Sequence, residues 1–405
     1  MRQKGWIEEI DYLRAFAILA VVMLHVMEWK QSYNINTSRS LDPIVLMIHV
    51  FAGYGVPLFI FISGFTLSSH YNKNFSTTNF YRKRFNFILP PYLLFSIIYI
   101  LFDYIQKDSF TISKTIFKIL SGTAYGHLWF FPLIVQFYIL YPYIIKYFNN
   151  SNNKFKILFL SLLLQVLFFI VMPLLYGYFL YYSDPMNKII GIIIQTLFLN
   201  DLFYFVLGLY LQNNYAILKN KINNLNLEYI LFIIIFMVLL VVFVSFLFYT
   251  AYTNNKYNFY QYKSSYYYPL IRSLSSIIYI LIFTILFKLV NISMTRKNTS
   301  SFNEMMIEAN DKETKPEIKV ESRLFILLKN IGFYSFGIYL IHYLLLGILR
   351  ILLENSNFIS LNMFAFFIYY FIILLLSYVT LYIINFIPGS GLFTGLKNKP
   401  FLSYQ

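Results

Sequence analysis

Arg14 and His25 stand eleven residues apart in "IEEIDYLRAFAILAVVMLHVMEW" (7–29), a stretch that otherwise reads as a membrane helix. Charged and ionisable groups are costly at bilayer depth, so they need partners or a task. An imidazole can take a proton from a hydroxyl, and a guanidinium can hold a phosphate or a carboxylate. Eleven steps of about 100° return almost to the same helix face, with about 16 Å of rise between the two. Asp11 and Glu28 lie one turn beyond each, on roughly the same side. One face therefore carries Asp11, Arg14, His25 and Glu28 in a line, and the others carry Leu, Ile, Val, Ala and Phe. Trp6 and Trp29 bracket the span about 35 Å apart, as residues that favour both interfaces do. Read plainly, Arg14 snorkels to the headgroups, His25 is a satisfied packing histidine and Glu28 sits in water. The shared face argues instead for a partner or a cavity inside the bundle.

Other polar groups repeat the theme. "YRKRFNFILPPY" (81–92) sets Arg82, Lys83 and Arg84 just before an apolar run, which alone is an ordinary topology signal. "GHLWFFPLIVQFYILYP" (126–142) opens another run with His127 and Trp129. Ser63 lies deep in "YGVPLFIFISGF" (54–65), where packing on small residues explains it as well as chemistry does. "GFYSFGIYLIHYLLL" (332–346) places His342 in a later run. The absence of cysteine excludes disulfides, cysteine–metal sites and a thiol nucleophile. No P-loop, GxGxxG or HExxH motif occurs, and no metal site is expected.

The elements that must position these groups are membrane helices. A chain of 405 residues with 59% hydrophobic and 12% charged residues could not hide its apolar surface in water. The expected fold is an all-α polytopic membrane protein. About ten runs are long enough to cross: 10–28, 44–68, 87–105, 128–148, 156–178, 189–211, 228–250, 268–290, 324–348 and 361–387. The first is read as a retained helix rather than a cleaved signal. The second contains Gly53, Gly55, Pro57 and Gly64 and is the one candidate for a broken span. Segment 108–126 is partly amphipathic and suits the interface. With the N-terminus inside, about 22 of the 32 Lys and Arg fall on the inner side, which favours cytoplasmic termini. That bias explains the net charge of +15 without nucleic acid. The whole of 1–405 reads as one transmembrane domain, with 294–323 a flexible cytoplasmic loop. The tyrosine-rich stretch 252–268 fits either an interfacial belt or a sugar-facing surface.

Four segments in the same order make the chain similar to the acyltransferase-3 family of integral membrane proteins. The family's first-helix pattern, arginine, ten residues, then histidine, matches "IDYLRAFAILAVVMLH". Its Ser-Gly-Phe segment matches "VPLFIFISGF", its basic stretch "RKRFNFILPPY", and its His-Leu-Trp-Phe segment "HLWFFPLIVQFYILYP"; "IYLIH" (338–342) follows. Three residues after Arg84, where many members have a second arginine, stands Phe87. The missing arginine resembles the branch associated with poly-N-acetylglucosamine in intercellular adhesion, described both as exporters and as O-acylating enzymes. The extra esterase-like domain of many members is not expected here.

The resemblance implies transfer of an acyl group, usually acetyl, from cytoplasmic acyl-CoA to a hydroxyl of a surface glycan, with no bound cofactor. Polysaccharide export is the rival reading, and a polysaccharide synthase is an expected partner. Arg14, Arg82, Lys83 and Arg84 would hold the anionic donor. His25 would be the general base, Glu28 would orient it, and His127 with Trp129 would complete the acceptor side.

Overall fold

The computed structural model describes residues 9–35, 48, 51–70, 76–107, 111–181, 185–224, part of 226–250, 323–353 and 363–395. The expected span 268–290, the loop 294–323 up to residue 322, the tyrosine-rich stretch 252–268, Trp6 and the Trp29 side chain lie outside the described residues. Every regular element among the described residues is helical. They are α1 (Glu9–Ile35), α2 (Gly55–His70), α3 (Thr77–Lys107), α4 (Ile112–Ser121), α5 (Phe130–Asn150), α6 (Lys154–Tyr181), α7 (Pro185–Gln195), α8 (Leu202–Asn213), α9 (Tyr215–Asn223), α10 (Arg323–Leu353), α11 (Met363–Ile384) and α12 (Gly391–Thr394). Six of these, α1, α3, α5, α6, α10 and α11, hold stretches long and apolar enough to cross a membrane. α2 and α8 are shorter apolar helices.

α1 is the central helix. Its apolar window is 67% buried, against 28–44% in the other five crossing helices. Ala15, Ala17 and Ala20 keep its surface low, so neighbours approach its backbone. On one side it joins a core with α2, α5 and α8, and on the other a core with α3, α10 and α11. Gly332 of α10 lies against α1 so closely that a Cβ there would stand 1.9 Å from the Asp11 carbonyl oxygen.

Two apolar runs are broken. The second run turns at Gly53–Tyr54 before α2 begins, as the glycines and proline predict. The run 189–211, read as one span, is also interrupted: α7 stops at Gln195, a single 3₁₀ turn covers Phe198–Asn200, and α8 starts at Leu202. The expectation of only one broken span is therefore corrected. No glycine or proline marks this second break; two glutamines from neighbouring helices sustain it. Gln136 of α5 donates through Nε2 to the Thr196 carbonyl (2.8 Å) and accepts through Oε1 from the Phe198 amide (3.1 Å). Gln165 of α6 accepts from the Phe203 amide at 2.9 Å. Backbone groups freed at bilayer depth need such partners. Gln136→Leu is expected to lower stability by about 2–5 kcal/mol, since it strips a carbonyl and an amide together. Thermal unfolding in detergent measures this, and an unchanged midpoint would show that the glutamine is dispensable.

α4 matches the amphipathic segment. None of its residues is buried, and Ile112, Ile116 and Leu120 form an exposed stripe while Lys118 pairs with Asp103 at 3.1 Å.

Candidate active site

α1, α3 and α10 run in one direction. Gly332 meets α1 at Asp11, while His342 meets it at His25. Tyr99 of α3 reaches Leu340 and Leu344, and further back Phe87 of α3 and Phe336 of α10 both border Gly395. The bundle therefore has a histidine end and an opposite end. Arg14 is on α1 about 16 Å from the level of His25, and Arg84 is on α3 about 22 Å from the level of Tyr99.

At the histidine end three imidazoles from separate segments converge. The His25 ring centroid lies 5.3 Å from that of His342 and 6.1 Å from that of His127. His127 and His342 are 5.1 Å apart. Tyr343 completes the cluster, 4.8 Å from His25 and stacked on His127 at 5.0 Å. His25 Nδ1 lies 2.9 Å from Glu28 Oε2. A carboxylate accepts, so Nδ1 carries the hydrogen, and in the neutral imidazole Nε2 would keep a lone pair directed away from the glutamate. His342 Nδ1 lies 2.8 Å from the Ile338 carbonyl oxygen. A carbonyl only accepts, so Nδ1 carries the hydrogen there too. Neither ring nitrogen of His127, nor Nε2 of His342, has a hydrogen-bond partner among the described residues. Among the described residues, no group of three metal-ligating side chains is placed to hold an ion.

His25 is the accessible member, its side chain 13% exposed beside a 34% exposed Glu28. His127 and His342 are buried behind it. Next to His127, Gly126 is exposed, and a Cβ there would meet the Tyr343 hydroxyl at 3.7 Å. Trp129 is not in the imidazole cluster: it packs edge-on to Phe130 and against the α2–α5–α8 core.

At the other end Arg14 pairs with Asp11 at 3.2 Å and stays partly exposed. Arg82 and Lys83 are exposed, and Arg84 is half-buried with its guanidinium carbon 5.9 Å from the Phe80 ring and 5.8 Å from the Tyr138 ring. Glu9 forms a separate structural tie, with Lys219 at 3.2 Å and the Tyr215 hydroxyl at 3.1 Å.

The molecule is thus a multi-pass helical membrane protein, with a buried histidine cluster at one end of its central helix and cations at the other. The sequence profile of the acyltransferase-3 family, described as an acyltransferase domain, matches residues 7–382, and the chain belongs to that family. Its members transfer acyl groups other than aminoacyl groups. The chain is also similar to proteins of Staphylococcus aureus named as probable poly-beta-1,6-N-acetyl-D-glucosamine export proteins. Identity over 157 residues is 29% for strain MSSA476 and 28% for strain MRSA252. The matched region is 39% of this chain and 44% of each relative, so less than half of their length is covered. No solved structure matches.

Proposed function

We propose that this chain is a membrane-bound O-acyltransferase that moves an acyl group, acetyl by preference, from cytoplasmic acyl-CoA to a hydroxyl of an extracytoplasmic glycan. In this reading ten helices cross the membrane and both termini are cytoplasmic. The observation that carries it is the His25–Glu28 pair, 2.9 Å apart, on the same helix as Arg14. Anionic CoA is held at the cationic end by Arg14 and the 82–84 cluster. The pantetheine arm spans the rise along α1 and presents the thioester near His25.

His25 Nε2 takes the proton of the acceptor hydroxyl as its oxygen attacks the thioester carbonyl. The C–O bond forms, the tetrahedral intermediate collapses, and the C–S bond breaks. The imidazolium then returns the proton to the departing thiolate, giving an ester and free CoA. Glu28 holds the Nδ1 hydrogen and stabilises the transient imidazolium. His127, with Trp129 two residues on, completes the acceptor side, Trp129 from its packing beside Phe130.

The test is transfer from labelled acetyl-CoA to a glycan by the purified protein. No incorporation with any glycan or acyl donor would sink the reading. Arg14→Gln is expected to raise KM for acetyl-CoA roughly tenfold and leave kcat nearly unchanged. A change confined to the acceptor KM would contradict the donor role.

A second reading is export of a surface polysaccharide, in concert with a synthase. Two broken apolar runs favour it, because paired broken helices are a transporter feature. The names of the relatives point the same way. Glycan acylation and glycan export, measured together in a deletion strain, separate the two.

A further inference from the structure

Tyr99 of α3 bridges a single backbone pair in α10. Its hydroxyl donates to the Leu340 carbonyl at 2.8 Å and accepts from the Leu344 amide at 3.0 Å. Those two groups are the i and i+4 partners that an α-helix joins directly. A side chain inserted into the ladder is one of the few recognised causes of a local bend. The bridged turn, Leu340–Leu344, is the turn that carries His342 and Tyr343. The same tyrosine is fully buried, stacks on Tyr125 at 4.5 Å and meets the His127 ring edge-on at 5.1 Å. Tyr339, one turn earlier on α10, donates to the His127 carbonyl at 2.7 Å.

We infer that Tyr99 is a positioning residue, whose hydroxyl bonds both ends of the α10 turn and so sets His342 and Tyr343 against His25 and His127. Its consequence for activity rests on the acyl-transfer reading. The physical signature is unusual for a buried hydrogen bond. Removing a buried partner ordinarily leaves a donor or acceptor orphaned. Here the two groups that would be orphaned are each other's natural helical partners, so they can close directly. Loss of the hydroxyl should therefore change geometry more than stability.

Tyr99→Phe keeps the ring, its stacking and the apolar packing. The expected result is an unfolding midpoint within about 2 °C of wild type, an unchanged KM for acetyl-CoA, and kcat lower by roughly 10- to 100-fold. A structure of the variant should show the Leu344 amide bonded to Leu340 and the His127–His342 ring separation moved from 5.1 Å. Retained kcat, or a kcat loss matched by a comparable loss of stability, overturns the inference. The structural readout needs no activity. If wild type transfers no acyl group, a variant with the His127–His342 separation moved from 5.1 Å still supports the positioning role, and one with the separation unchanged overturns it.

Discussion

His25→Ala is expected to reduce kcat for acyl transfer by about 10²- to 10⁴-fold, the range a general base supplies. The helix tolerates the change: alanine is a strong helix former, and the imidazole is the accessible member of its cluster. A loss of activity without a loss of fold is therefore expected. Glu28→Gln should fall less, by roughly 10- to 100-fold. Glutamine can still accept from the Nδ1 hydrogen, 2.9 Å away in the native pair, but brings no charge to balance an imidazolium. Because Glu28 acts through His25, the double variant should be no worse than His25→Ala alone. Additive losses would show that the glutamate has its own contact with substrate. Undiminished transfer by His25→Ala would end the assignment.

These predictions use residues that a single helix displays, and such residues are what the sequence makes legible. Arg14, His25 and Glu28 follow from helical periodicity within α1, and the Asp11–Arg14 and His25–Glu28 pairs are both three residues apart. His127 and His342 also stand out, as rare residues at or within apolar runs. Their convergence does not, because it joins segments more than two hundred residues apart. The tyrosines are harder still. Tyr99, Tyr125, Tyr339 and Tyr343 organise the cluster, yet the chain has 38 tyrosines, and only Tyr339 and Tyr343 stand in a segment that the sequence singles out. The apolar runs announce most of the described helices. The break after Gln195 is silent because its partners, Gln136 and Gln165, are on other helices. The break at Gly53–Tyr54 is legible because glycine and proline act on their own backbone.

The second large effect tests the packing on which both functional readings depend. Gly64→Ala and Gly208→Ala are each expected to destabilise the protein by roughly 3 kcal/mol or more. Helix propensity alone predicts the reverse, a gain of about 1 kcal/mol for alanine over glycine in a helix interior. Contact geometry decides the sign. A Cβ at Gly64 would stand 2.2 Å from the Phe205 carbonyl oxygen, and one at Gly208 would stand 2.3 Å from that of Phe61. Both obstacles are backbone, so no side chain can rotate aside, and α2 and α8 must separate to admit the methyl. Separation would also pull α8 away from the Gln165 bond that steadies its first turn. The two glycines report on one crossing, so the double variant should lose less than the sum of the singles. Thermal unfolding of the detergent-purified variants measures all three. A Gly64→Ala protein as stable as wild type would mean that α2 and α8 part easily in the native state. Such mobility between the two broken runs is what an exporter needs, and it would move the balance from acyl transfer toward export.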